Sequence, residues 1–448
     1  VDNASVTAPL ERTTARTDAL ALAGLLALAV VLVGLYATTF TQFSPVDELQ
    51  HADYVIKASH GQLLRRGDRT GQEALGEATC RGLVVPEPPR ADNCRTTGDR
   101  PPVVEQQSGV NSEEIQPPLY YFVTGALARA GRRVTGASSI VTTARLVGAL
   151  WLAGGVVVLW ALLGLLGVRP SARWAVVALV VSAPTVLDAS ALVNNDATAL
   201  LAGGGVLLAA VAWEQRRLHG AAVLGAVVVA VALKPTNVFG VGVAALYLLW
   251  RAVSTDAGDR PRPWRSQAGM SAAVVGAAVV AGLGLLVLHD AVARAGPLSN
   301  PNTAHFQVDH LAVGQVLGAV PAGVVPVQDP FLPDFLDTSV MKLLVRCGEW
   351  LLLGGAVGTA ATSARGSAGE ALAVSALAGC AVTGPALVVL NYLSLQTYVA
   401  IPSRYALSVV PALAAALALA LGKSWTPFAV ATVAALSSAV ILVALVTA

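Results

Sequence analysis

The sequence is short of charge. Only 12% of its 448 residues are Asp, Glu, Lys or Arg, about half the share of a soluble globular domain. With 55% hydrophobic residues and a mean hydropathy of +0.65, that excludes a soluble enzyme and a disordered chain. Four cysteines are too few for a disulfide scaffold. They form no CxxC pair, and no HxxxH step occurs, so a structural zinc site lacks its ligand spacing. No phosphate-cradling glycine–lysine loop is present, which argues against an ATP-driven pump. Internal repeats and the inverted symmetry of many transporters are missing too. A net charge of +2 gives no reason to expect a nucleic-acid partner. Lysine is scarce, with four (Lys57, Lys234, Lys342, Lys423) against 25 arginines. Together with the Ala, Val, Leu and Gly content, this points to a high-GC genome of the actinobacterial kind.

Long apolar runs are what remains, and in lipid such runs must be helices, because each has to satisfy its own backbone hydrogen bonds. The sequence predicts an all-α polytopic membrane protein with about eleven transmembrane helices. They fall near residues 18–40, 141–167, 174–193, 197–214, 220–234, 236–250, 268–289, 342–361, 370–391, 405–421 and 426–447. The first exceeds the apolar core of a signal peptide and is followed by no small-residue cleavage pattern. Residues 220–250 are too long for one straight crossing, and Lys234-Pro235 removes a backbone donor in the middle, so a short broken hairpin is expected.

Arginine and lysine in the short loops set the orientation. A cytoplasmic N-terminus places Arg12, Arg16, Arg169, Arg173, Arg216, Arg217, Arg251, Arg260, Arg262, Arg265, Arg365 and Lys423 inside. This partition requires residues 117–138 not to cross, so Pro117–Ala130 is read as a helix on, or dipping into, the outer surface. The expected organisation is a cytoplasmic tail over 1–17 and one transmembrane domain over 18–448. That domain carries two long outer loops, 41–140 and 290–341, in the plasma membrane. Loops of such length usually carry function. Cys80 and Cys94 both fall in the first of them, where the compartment permits a disulfide, and they are expected to pair. Cys347 and Cys380 read as small apolar residues.

Polar residues that could carry chemistry gather at the outer ends of the spans. Asp47-Glu48 follows directly on the first span, and two carboxylates beside lipid need a job or a cationic partner. If helical, Asp47, His51 and Tyr54 share one face at i, i+4 and i+7, suiting a general base with orienting groups. A solvated helix start capped by acids is the alternative. Pro117-Pro118 opens a helix whose Tyr120, Tyr121 and Phe122 suit either an interfacial anchor or a substrate contact. Asn194-Asn195-Asp196 is a turn or a binding step. Lys234 is a phosphate ligand or a snorkelling side chain. Arg404, before Tyr405, stands outside against the basic trend. Its planar fork suits a phosphate, and pairing with Asp47 or Asp196 is the competing reading. In the second loop, His305 and Asp309 at i, i+4 are weakly compatible with a metal, and a mobile lid is expected instead. Gly203-Gly204-Gly205 reads as close helix packing.

The order and common sidedness of these pieces resemble the GT-C superfamily of membrane glycosyltransferases, including protein mannosyltransferases, lipid A aminoarabinose transferases and mycobacterial arabinofuranosyltransferases. The resemblance rests on Asp47-Glu48, the large first outer loop, Pro117-Pro118-Leu119-Tyr120, Asn195-Asp196, the Lys234 hairpin and Arg404-Tyr405. It implies an inverting transfer of a sugar from a polyprenyl-phosphate carrier to a glycan or lipid-linked acceptor of the cell envelope at the outer face. Asp47 would be the general base, with Glu48 as alternative or partner. His51 and Tyr54 would orient the base or the acceptor. Asn195, Asp196 and Tyr120 would contact the sugar or acceptor, and Lys234, Arg404 and Tyr405 would receive the donor phosphate. Gln116 stands where many relatives have His. Some branches use a divalent metal near the acids, so the resemblance leaves a metal open. A secondary transporter, or a protein that binds or translocates the lipid-linked sugar without catalysis, is the alternative function.

Overall fold

The computed structural model describes residues 7–45, 47–82, 109–254, 264–292, 306–324, 336–421 and 426–447. Among them the chain is helical, with two isolated bridges and no strand. It opens with α1 (Thr7–Thr39), α2 (Glu48–Ser59), α3 (Gln72–Arg81), α4 (Pro118–Thr135) and α5 (Ile140–Leu165). The middle comprises α6 (Pro170–Val181), α7 (Pro184–Ala191), α8 (Ala199–Glu214), α9 (Gly220–Leu233), α10 (Val238–Ser254) and α11 (Trp264–Val292). The last part holds α12 (Val313–Leu317), α13 (Val320–Val324), α14 (Ser339–Thr362), α15 (Ala368–Leu395), α16 (Val410–Ala420) and α17 (Thr426–Thr447). Helix starts follow from local chemistry. Ser139, Thr338 and Ser367 accept from the backbone N–H three residues on and so cap α5, α14 and α15. Proline, which needs no donor there, occupies the first turn of α4, α6, α7 and α16.

The chain is a multi-pass membrane protein. Every predicted span is matched by helix, but the count of eleven is not reproduced. Among the described residues eight helices are long and apolar enough to cross. A ninth is added if α6 and α7, bent by 62° at Ser182-Ala183, form one broken span. Helix α9 has only 14 residues, a rise of about 21 Å against a hydrocarbon thickness of about 30 Å. Helix α14 carries Lys342, Arg346 and Glu349 and is not among the eight. Helix α4, with Arg129, Arg132 and Arg133, is not among them either. Helix α1 begins at Thr7, inside the stretch read as a tail. Of the expected disulfide, Cys94 lies outside the described residues, while Cys80 sits half-buried in α3. His305 also lies outside them, and α13 packs on α15.

The bundle has two polar ends. At one, Arg173 pairs with Asp18 at 3.0 Å, and Glu214 gathers Arg251 at 2.5 Å, Gln267 at 3.0 Å and the Tyr247 hydroxyl. The segments after α1, between α7 and α8, between α9 and α10, and before α16 meet at the other. Glycine makes that meeting possible. A Cβ on Gly203 would come within 1.9 Å of the Ser408 carbonyl oxygen, and one on Gly240 within 2.7 Å of the same atom. Helices α8 and α10 therefore press directly on the backbone of the turn that bears Arg404, as the reading of the glycine run expected.

Candidate functional site

Helix α2 begins the site. Asp47, its N-cap, has φ 60 and ψ −4, in the left-handed region that Asp tolerates better than bulkier residues. The helix starts only at Glu48, so Asp47 is joined to the His51 turn through its carbonyl, which accepts from the His51 N–H at 3.0 Å. Burial raises the Asp47 carboxyl above the ordinary carboxylate range; Arg404 and Lys234 oppose the rise, and Asp196 adds to it.

Glu48 faces the other way. It is 1% exposed and accepts four hydrogen bonds: Arg145 Nε and Nη2, each at 2.8 Å, the Ser44 N–H at 2.8 Å and the Val193 N–H at 3.0 Å. Arg145, itself fully buried, also donates to the carbonyls of Phe40 and Gln42. This fork ties α2 to α5, to the end of α1 and to the turn before Asn194. Asp53 is held similarly, by Lys57 at 2.6 Å, Asn111 at 2.7 Å and the Gly71 N–H at 2.8 Å. The start and the middle of α2 are thus held, and Asp47 is held with them.

Asp196 sits in a short 3-10 turn whose Asn194 cap accepts from the Asp196 N–H. Its carboxylate, 2% exposed, pairs with the Lys234 ammonium and lies 3.2 Å from Arg404 Nε. Lys234 is carried there because α9 ends at it in extended conformation and Pro235 starts a new turn. Both cations cover the Tyr405 ring, at 4.7 Å for Lys234 and 5.5 Å for Arg404. Asn195, fully buried, donates to Gln116 Oε1 at 2.9 Å, and its own Oδ1 has no hydrogen-bond partner among the described residues.

His51 and Tyr54 do not point at the cations as a pair. The Tyr54 ring stacks on Tyr121 at 3.9 Å. His51 Nδ1 shares a hydrogen bond of 2.8 Å with the Tyr121 hydroxyl and lies 3.4 Å from Glu113 Oε2. Burial, then Lys234 and Arg404, push His51 well below its usual value, so its ring is neutral. Burial and then Asp47 push Glu113 well up. Tyr120, buried, lies edge-on to Tyr121. An apolar groove of about 460 Å³ opens alongside, between Tyr54, Gln116, Pro235 and the α11 residues Gly282, Leu285 and His289. The α11 face beyond it is apolar and exposed, with Leu286 65% and Val287 69% accessible. Among the described residues no group of three or more His, Cys, Asp or Glu could hold a metal ion.

Of the predicted site residues, the structure brings Asp196, Lys234, Arg404 and Tyr405 together, with Asp47 within electrostatic reach. Glu48 is withdrawn into a saturated ion pair. Sequence reasoning missed Arg145 and Glu113. Arg145 had a signal, a guanidinium inside a predicted span. Glu113 lies in a long loop without periodicity.

No protein-family model matches the chain, and no curated protein matches it. Solved structures do. ArnT from Cupriavidus metallidurans bound to undecaprenyl phosphate superposes with a TM-score of 0.50 at 16% identity, covering 90% of this chain and 60% of that one. The same enzyme in the apo state gives 0.49 at 17% identity, covering 91% and 60%. Arabinofuranosyltransferase AftD from Mycobacteria gives 0.45 at 15% identity, covering 94% and 26%. The chain spans about 60% of the length of the ArnT structures and about a quarter of AftD. The likeness is one of fold: the chain folds as the ArnT structure bound to undecaprenyl phosphate does.

Proposed function

We propose that this protein is a glycosyltransferase that moves a sugar from a polyprenyl-phosphate carrier to an acceptor hydroxyl at the outer membrane face. The observation that carries the proposal is the buried cluster in which one carboxylate, Asp196, faces two cations, Lys234 and Arg404, beside a second, elevated carboxylate and an apolar groove. ArnT, of like fold, holds undecaprenyl phosphate in its crystal structure. Here the isoprenoid chain fits the groove, whose Pro235 adjoins Lys234 and whose Gln116 bonds Asn195.

Asp47 takes the proton from the acceptor hydroxyl. The acceptor oxygen attacks the anomeric carbon from the face opposite the phosphate, and the bond from that carbon to the phosphate oxygen breaks with its electron pair. The configuration inverts in a single displacement. The phosphate diester becomes a monoester and gains one negative charge, which Lys234 and Arg404 stabilise more strongly than they do the ground state. Asp196 holds the two cations in place, and Tyr405 backs them. Glu48 acts as a positioning residue, since all four of its acceptor sites are filled, two by Arg145 and two by backbone N–H groups. Asn195 and Tyr120 contact the sugar or acceptor, and His51 and Tyr54 hold the α2–α4 wall. The acceptor is a glycan or lipid-linked molecule of the cell envelope, and the N-terminus is cytoplasmic.

The test is a transfer assay with purified protein in nanodiscs and a panel of polyprenyl-phosphate sugars and envelope acceptors, beside Asp47→Asn. Transfer by the wild type alone, with carrier binding kept in both, is the expected result. Carrier binding without transfer by either would leave a binding or translocating protein.

A further inference from the structure

A second pocket lies away from the Asp196 cluster, at the far ends of α2 and α4. It has a volume of about 380 Å³ and is lined by His60, Arg129, Arg132, Arg133, Gly136 and Ile140. Three guanidinium groups of α4 meet there within five residues of sequence. The acid beside them is Glu73 of α3, whose carboxylate lies 3.7 Å from Arg132 Nη1 and 3.6 Å from His60 Nε2. Arg129 spends one donor on the Ser59 carbonyl at 2.7 Å. Among the described residues one carboxylate, Glu73, pairs at this pocket against three arginines, which leaves a positive excess. Arginines near a helix C-terminus also complement its dipole, but that requires no cavity. Here they line one, and the N-terminus of another helix lies at its edge.

That edge fixes the depth. Ile140 opens α5, which is long and apolar enough to cross the membrane. The pocket therefore sits where α5 enters the bilayer, at the level of the lipid headgroups. Exposed Val134, 87% accessible, and Leu127 of α4 supply apolar contacts beside the arginines. A basic cavity with apolar neighbours at this depth matches a phosphate diester whose acyl chains lie in the leaflet.

The pocket is also linked to that cluster. Helix α2 carries Asp47 at one end and Ser59-His60 at the other, over twelve residues, or about 18 Å. Helix α4 runs from the Tyr121 stack to the arginines, and the two helices are pressed together at Gly125. A Cβ there would come within 2.8 Å of the Val55 carbonyl oxygen.

We infer that this pocket binds a phosphate-bearing group, supplied by an anionic lipid of the same leaflet, and that the bound phosphate clamps the outer ends of α2 and α4. The inference does not depend on the sugar-transfer reading. It is tested on the full chain in nanodiscs of phosphatidylcholine with or without phosphatidylglycerol, reading retained lipid by mass spectrometry and the opening of the α2–α4 pair by hydrogen exchange. The wild type is expected to enrich phosphatidylglycerol about tenfold over the double variant Arg132→Gln/Arg133→Gln. The amides in the last turn of α2, next to the pocket, should exchange more slowly when that lipid is present. Arg132→Lys/Arg133→Lys keeps the charges and should keep most of the enrichment, which separates lost charge from lost folding. If inorganic phosphate in zwitterionic nanodiscs gives the same protection, the chemistry stands and the lipid source is overturned. Equal lipid retention by the wild type and the glutamine variant overturns the pocket altogether.

Discussion

Two buried carboxylates on adjoining segments, Glu48 and Asp196, have opposite surroundings. Glu48 faces one guanidinium in a two-point fork, and backbone N–H groups take its remaining lone pairs. Asp196 faces two cations and pairs fully with neither alone. The first arrangement is closed, so nothing can join it without displacing a bond. The second gathers Lys234 and Arg404 over the Tyr405 ring, with Asp47 also within electrostatic reach, and it is these two cations that the proposed reaction turns toward the leaving phosphate. A buried ion pair in a membrane protein is thus a lock when guanidinium and backbone donors fill every lone pair of its carboxylate, as at Glu48. The Glu214 cluster at the opposite end of the bundle, with Arg251, Gln267 and Tyr247 on one carboxylate, is a second lock.

The contrast can be tested from both sides. Asp47→Asn should give the largest change, lowering kcat for sugar transfer about 10²–10⁴-fold while carrier binding survives. Loss of a phosphate-facing cation, in Lys234→Met or Arg404→Gln, should lower kcat about 10²–10³-fold with a smaller change in thermal stability. Arg145→Ala should do the reverse. It leaves Glu48 charged and buried without its partner and should cost about 3–5 kcal/mol in denaturant unfolding. If Lys234→Met lowered stability as much as Arg145→Ala, the distinction between lock and site would fail. Gly125→Val should cost about 1–3 kcal/mol by forcing α2 from α4, with loss of activity through Asp47 and not through carrier binding.

The smallest effect expected is with pH. Folding raises the Asp47 carboxyl above its usual value. Its charge therefore opposes folding above the raised folded value, and the penalty is lost as pH falls through that value to the unfolded one. Asp47→Asn should melt slightly above the wild type at neutral pH, and the gap should close on acidification. Activity should fall over the same window, because the base must be ionised to accept a proton. A gap that widens at low pH would mean that the cations outweigh burial at Asp47.

Much of this was legible before any coordinates. Apolar runs gave the helices, Lys234-Pro235 gave the break between α9 and α10, and the prolines and hydroxyl caps gave helix starts. The glycine run predicted close packing, and Gly203 meets the Ser408 backbone. The residues that surround Asp196 each stand out singly in the sequence. Several things were not legible. Asp47 and Glu48 are neighbours in sequence, and no pattern tells which one faces the cations. The Asp47 backbone turns into the left-handed region, and the two side chains then diverge. The helical face shared by Asp47, His51 and Tyr54 gave way to a stack of His51 and Tyr54 on Tyr121. Partner identity across 97 residues, as between Glu48 and Arg145, cannot be read from local spacing.

By itself the sequence determined the solvent. A chain this poor in charge folds in lipid, as helices, with its few polar groups gathered near the ends of spans, since hydrocarbon offers no partner for an exposed backbone or an isolated charge. Only the tertiary structure decided which of those groups cancel. Cancellation depends on ångström distances between segments far apart in the chain, and those distances are set by how closely the helices pack.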